Sequence, residues 1–192
     1  MAKTESTFLN MVITLMVIAG IASLALGGVY NLTKEPIRLA KKAKAEAAIK
    51  AVVPDFDSLY SFKYKPESGE DSLTVHEAYM NNSHVGTAIA SYSNKGYDPT
   101  QIQVMVGFLP DGSVENTSVV QHKETPGLGT KMEEDPFKNQ FKGINPAKFD
   151  LRVKKDGGDV DAITAATITS RAFADAVERA YQSFQKIEGG TE

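Results

Sequence analysis

Hydrophobic and polar positions follow three different rhythms along this chain. From Ser6 to Thr33 there is no charged residue, and Phe8 to Tyr30 is almost continuously apolar. A helix over residues 8–30 spans about 34 Å at ~1.5 Å per residue, against a hydrocarbon core of roughly 30 Å. Asn10, Thr14 and Ser23 are its clearly polar members, and a hydroxyl in a helix can bond back to the preceding turn. Tyr30 stands at the far end, where an interfacial aromatic belongs. The pattern predicts one N-terminal transmembrane helix after a short tail (1–7). A cleaved signal peptide is the competing reading, with Lys3 as a basic start and Ser23-Leu24-Ala25 as a small-x-small site. The near-neutral start, Lys3 against Glu5, and the length of the apolar run favour a retained anchor.

Beyond the span the rhythm becomes helical, then alternating. Pro36 is read as the first turn of a helix through Ala- and Lys-rich sequence to about Val52, stopped by Pro54; residues 34–53 are thus expected to form a stalk helix. The segment 55–71 reads as irregular, with a strand at Leu59–Tyr64. Strands are expected at Leu73–Met80, Val85–Ser93, Gln101–Leu109 and Val114–Gln121, with a turn at Pro110-Asp111-Gly112. A loop with Gly and Pro follows from His122 to Lys131, then a short helix at Glu133–Phe141 and a strand at Phe149–Val153. A helix from about Ser170 to Lys186 closes the chain. Its Phe173, Val177, Tyr181 and Phe184 recur at helical spacing, a stripe read as core and not as a cofactor box. The sum is one α+β domain, residues 55–192, on a stalk helix.

Composition narrows the chemistry. The chain has 192 residues, a net charge of -3 and no cysteine. The absence of cysteine excludes disulfides, Cys-ligated iron–sulfur clusters and Cys nucleophiles. His76, His84 and His122 stand at unrelated spacings, which argues against a metal site. No local excess of Lys and Arg offers a nucleic-acid face. Lys34, Arg38, Lys41, Lys42 and Lys44 crowd the far end of the span, and the positive-inside rule alone would put that side in the cytoplasm.

Two segments stand apart from ordinary scaffold. Asp161-Ala162-Ile163-Thr164-Ala165-Ala166-Thr167-Ile168-Thr169-Ser170 sets four hydroxyls and several small residues at a helix entrance, where free N–H groups and the helix dipole suit a phosphate. Plain N-capping by Thr169 or Ser170 is the simpler account. Lys123-Glu124-Thr125-Pro126-Gly127-Leu128-Gly129-Thr130-Lys131 brackets one apolar residue with two glycines, so that backbone can approach a flat ligand. Alone, it reads equally well as a surface loop.

Together these segments resemble a known family. Asp161-x-x-Thr164-Ala165-Ala166-Thr167 is similar to the flavinylation motif of the FMN-binding domains in Rnf and Nqr complexes, and Glu124-Thr125-Pro126-Gly127-Leu128-Gly129 is similar to their flavin-contacting loop. Anchor, loop and motif occur in the order expected of the RnfG/NqrC family, and most of all of its RnfG members, which serve the ion-translocating ferredoxin–NAD oxidoreductase Rnf. The resemblance implies an α+β FMN-binding domain, an antiparallel-rich sheet with helices, anchored by one transmembrane helix. It implies FMN joined by a phosphoester to Thr167, attached by a flavin transferase that uses FAD and Mg²⁺ and reads Asp161, Thr164, Ala165 and Ala166. Glu124, Thr125, Gly127, Leu128 and Gly129 would lie against the isoalloxazine ring, with Lys131 and Thr169 added by position. Ala165 departs from the Gly common there, which suits only a backbone that is not left-handed. The implied role is electron transfer among other membrane and peripheral subunits of such a complex. The implied place is the bacterial inner membrane with the globular domain on the periplasmic side, against the charge rule. Alternatives are the NqrC member of the family, which serves the Na⁺-translocating NADH–quinone oxidoreductase, or a flavin-free membrane-tethered assembly module.

Overall fold

A computed structural model describes residues 7–66 and 71–189. Residues 1–6 of the expected tail, with Lys3 and Glu5, lie outside it. Helix α1 runs from Phe8 to Val52 with Pro36 inside it, so the anchor and the stalk are one helix and not two. Pro36 removes an N–H donor to the Leu32 carbonyl, a cost of about 3 kcal/mol in a helix interior. The Ala, Leu, Lys and Glu that follow are good helix formers and carry the helix past it. The chain forms two compact units, Met1–Ala43 and Lys44–Glu192. In the first, apolar side chains such as Leu15, Ile21, Leu24 and Leu26 are exposed, and the helix is long and apolar enough to cross a membrane.

The second unit is built on five antiparallel strands: β1 (Ser58–Tyr64), β2 (Leu73–Met80), β3 (Ser83–Ser93), β4 (Ile102–Phe108) and β5 (Val114–Gln121). They lie in chain order, each bonded to the strand before it. Alternation sends side chains to two faces. Val75, Ile89, Val104 and Val106 join a large core with α3 (Thr167–Gly189). The stripe on α3 behaves as its spacing predicts: Phe173, Val177, Tyr181 and Phe184 are buried. Phe184 stacks on Phe108 with ring centroids 4.9 Å apart, and Phe173 meets Phe137 at 5.3 Å and Phe141 at 4.9 Å. Burying each such ring contributes about 1.5–3 kcal/mol. On the opposite face, Ala48, Ile49 and Val52 of α1 pack with Ala78, Ala88 and Met105. The approach is close because β4 carries Gly107 there: a Cβ on it would lie 1.7 Å from the Val52 carbonyl oxygen.

Three elements differ from expectation. The short helix expected over 133–141 is a single α turn, α2 (Asp135–Lys138), between 3₁₀ turns at Gly129–Glu133 and Asn139–Phe141. Pro136 suits a first turn, and the tighter turns carry Met132 and Phe141 into the core. Residues 149–153 form no strand; one isolated parallel bridge joins Val153 to Val160. Two polar ties shape this segment instead, with the Asp150 N–H donating to Asp159 Oδ2 at 2.9 Å and Arg152 clasping Asp150. The last helix begins at Thr167, three residues before Ser170, because the Ser170 N–H already finds the Ala166 carbonyl at 3.0 Å.

Candidate functional site

Three loops meet at the head of α3 around a cleft of about 520 Å³. They are the turn after β3, the loop after β5, and the approach to α3. The cleft is lined by Tyr97, Glu124, Thr125, Leu128, Gly129, Ala165, Ala166, Thr167, Ile168 and Thr169.

Glu124 ties the loops together. It is 4% exposed. Its Oε1 accepts from the Tyr97 N–H at 2.9 Å and the Asp98 N–H at 3.3 Å, and its Oε2 accepts from the Thr169 hydroxyl at 2.7 Å. Burying a carboxyl group is costly unless its oxygens find donors, and here both oxygens do. Two glycines make room for it: a Cβ on Gly96 would stand 2.7 Å from Oε1, and one on Gly129 would stand 2.8 Å from Oε2. Gly127 serves differently. Its φ of +74° turns the loop, and its N–H donates to Thr130 Oγ1 at 2.9 Å.

The approach to α3 is pinned from both ends. Gln140 accepts from the Asp161 N–H at 2.7 Å and donates to the Asp161 carbonyl at 3.2 Å, while the Asp161 carboxylate pairs with Lys154 at 2.7 Å. The Ile163 N–H donates to Ser170 Oγ at 2.9 Å, and that hydroxyl donates to the Ala166 carbonyl. Between these ties Ala165 has φ +62°. The condition attached to its methyl group therefore fails: the backbone is left-handed, at a cost of about 1–2 kcal/mol for a residue with a Cβ.

Of the residues singled out from sequence, Glu124, Thr125, Leu128, Gly129, Ala165, Ala166, Thr167 and Thr169 come together on the cleft, whereas Gly127, Lys131, Asp161 and Thr164 do not line it. Thr169 and Ser170 are not helix caps but internal ties. Sequence reasoning missed Tyr97 and Ile168. The cleft is flanked by exposed apolar groups, Tyr97 at 71%, Ile168 at 47% and Leu128 at 41%. A lone tyrosine between Gly96 and Asp98, and an isoleucine among hydroxyls, were the available signals.

The cleft suits FMN. Its volume falls in the usual range for cofactor sites. Its apolar edges can hold a ring system, and the first-turn N–H groups of α3, which lack intrahelical acceptors, can meet a phosphate. A groove of about 550 Å³ between α3 and residues 150–156 is as large. Most of its charges, however, engage one another: Lys95 with Asp175, Arg152 with Asp150 and Arg171 with Asp156, while Glu178 accepts from Gln182. The Arg152 guanidinium holds Asp150 down to about 2. Charges matched in this way tie the fold together and offer little to a ligand.

Fold and cleft define an FMN-binding domain, and the family model of that description matches residues 96–182. The chain is 34% identical over 191 residues to the G-type subunit of an ion-translocating oxidoreductase complex from Erwinia tasmaniensis, covering 92% of this chain and 90% of the relative. It is 28% identical over 190 residues to the G-type subunit of a proton-translocating ferredoxin:NAD(+) oxidoreductase complex from Clostridium ljungdahlii, covering 98% and 97%. A solved structure of Shewanella oneidensis NqrC shares the fold, with a TM-score of 0.51 and 21% identity over 74% of each chain. The chain belongs to the RnfG family, the G-type subunits of ion-translocating oxidoreductase complexes.

Proposed function

We propose that the chain is the electron-transferring RnfG component of an Rnf-type complex and carries FMN as a phosphoester on Thr167. The observation that carries this reading is the position of Thr167: a half-buried hydroxyl at the first residue of α3, lining the cleft beside Ala166 and Thr169. The helix N-terminus favours the phosphate there, and Tyr97, Leu128 and Ile168 offer apolar surface to the ring. During attachment Thr167 Oγ1 bonds to the FMN phosphorus of FAD as the pyrophosphate bond breaks. AMP leaves and the hydroxyl proton passes to solvent; a flavin transferase with Mg²⁺ would catalyse the step. Asp161 and Thr164, away from the cleft and exposed, are open to reading by such a partner. When bound, FMN accepts and returns electrons one or two at a time; this chain's residues hold it and leave its ring unaltered.

In this reading residues 8–30 span the bacterial inner membrane once. The domain faces the periplasm and exchanges electrons with other membrane and peripheral subunits. NqrC shares the fold, but the G-type relatives match nearly end to end. The test is flavin fluorescence of the denatured band from cells that express an active flavin transferase. The native chain should fluoresce and Thr167→Ala should not. A dark native band would remove the carrier role, and a fluorescent Thr167→Ala band would move the attachment elsewhere.

A further inference from the structure

Five cations follow the apolar span within a few turns, and four of them lie in the first unit: Lys34, Arg38, Lys41 and Lys42, against one carboxylate between residues 34 and 43, Glu35. Because α1 is continuous through Pro36, their spacing has a fixed meaning. Lys34, Arg38 and Lys41 stand at i, i+4 and i+7, which is one stripe of the helix, with Lys42 on its flank. All four side chains are exposed. Arg38 contacts Glu35 at 2.9 Å, but a pair as exposed as this one neutralises little of the local field. The other flank of the span holds Lys3 and Glu5 and is neutral.

We infer that this stripe is a binding surface for anionic phospholipid headgroups; the inference rests on the reading of residues 8–30 as a membrane span. The distances fit. Lys34 lies about 6 Å beyond Tyr30 along the axis and Lys41 about 16 Å beyond. The headgroup layer is roughly 5–8 Å thick on each side. Lys34 therefore stands among phosphates, and Arg38 and Lys41 stand within about one Debye length of them, with flexible stems that reach back toward the interface. The same charges oppose a periplasmic domain under the positive-inside rule. As ligands for lipid phosphate they act in either leaflet, which gives them a role independent of sidedness.

The test uses the full chain in nanodiscs of equal phosphatidylcholine and phosphatidylglycerol, released in mild detergent, with the retained lipid counted by mass spectrometry. The native chain should retain phosphatidylglycerol in excess, and less so in high salt. Each basic residue near an anionic surface is worth about fivefold in local affinity, so Lys34→Gln/Arg38→Gln/Lys41→Gln should lose roughly tenfold or more of the preference. A control, Lys63→Gln/Lys142→Gln/Lys148→Gln, removes as many charges from the globular unit and should keep it. No preference in the native chain, or equal losses in the two variants, would overturn the inference. Failure of the native chain to enter the bilayer at all would instead overturn the membrane span, and this inference with it.

Discussion

The hydroxyl of Thr169 donates to Glu124 Oε2 at 2.7 Å, across 45 positions of sequence and out of contact with solvent. One bond thus fastens the first turn of α3 to the loop after β5, while the other carboxylate oxygen fastens that loop to Tyr97 and Asp98. A hydrogen bond to a buried charge contributes about 1.5–3 kcal/mol. Thr169→Val should lower unfolding stability by about that much in urea titrations. Glu124→Ala should cost more, because it strands three donors. If Thr169→Val is neutral, the clasp holds nothing.

Ala165→Gly should raise the melting temperature. Relief of the left-handed backbone at φ +62° returns about 1–2 kcal/mol, offset by about 0.4–1 kcal/mol of added freedom in the unfolded chain. A net gain of several tenths to 1 kcal/mol is expected, read by calorimetry. A fall in melting temperature would mean that the Ala165 methyl makes contacts worth more than the strain.

Gly107→Ala should be among the most damaging small substitutions. Its Cβ would penetrate the Val52 carbonyl, and neither the strand nor the helix end is a flexible side chain that can move aside. Stability should fall by about 3 kcal/mol or more. Near-native stability in urea would show that α1 can shift off the sheet freely.

Acid should weaken the fold in part through His76. Burial holds its imidazole below the ordinary value of 6.5, with Nδ1 paired to Ser61 Oγ at 2.7 Å. The folded chain therefore binds this proton less readily than the unfolded chain. Above 6.5 both forms are neutral and the group adds no pH dependence. As pH falls through 6.5 the unfolded chain is protonated first, and stability is lost until pH passes below the depressed folded value. Melting curves at successive pH values should show the native chain losing stability relative to His76→Gln over that window. A constant gap between the two would exclude His76 as a source.

The strands were legible because alternation and turn chemistry agree. Leu73–Met80 and Val114–Gln121 match to the residue, and Pro110-Asp111-Gly112 turns where it should. The stripe of α3 was legible for the same reason. Pro36 misled because proline is common in a first turn, whereas here the Ala, Leu and Lys residues after it carry the helix on. Phe149–Val153 misled because three apolar residues in five resemble a strand, while Asp150 and Asp159 draw the segment into a polar-tied loop. At the cleft, short motifs exposed Glu124 and Thr167. Tyr97 was invisible because its place there depends on a backbone N–H bonded to a carboxylate 27 positions away, and no periodicity encodes such a bond.

The sheet order has a consequence for biogenesis. Each strand pairs with the one made just before it, so the sheet can assemble progressively, hairpin by hairpin, from the N-terminal side. The cleft cannot. Its walls come from residues 97, 124, 125, 128, 129 and 165–169, and the last three of these belong to α3. Any enzyme that recognised the folded cleft would therefore need α3 to be made first, and chains truncated before α3 would go unrecognised however well their strands had paired.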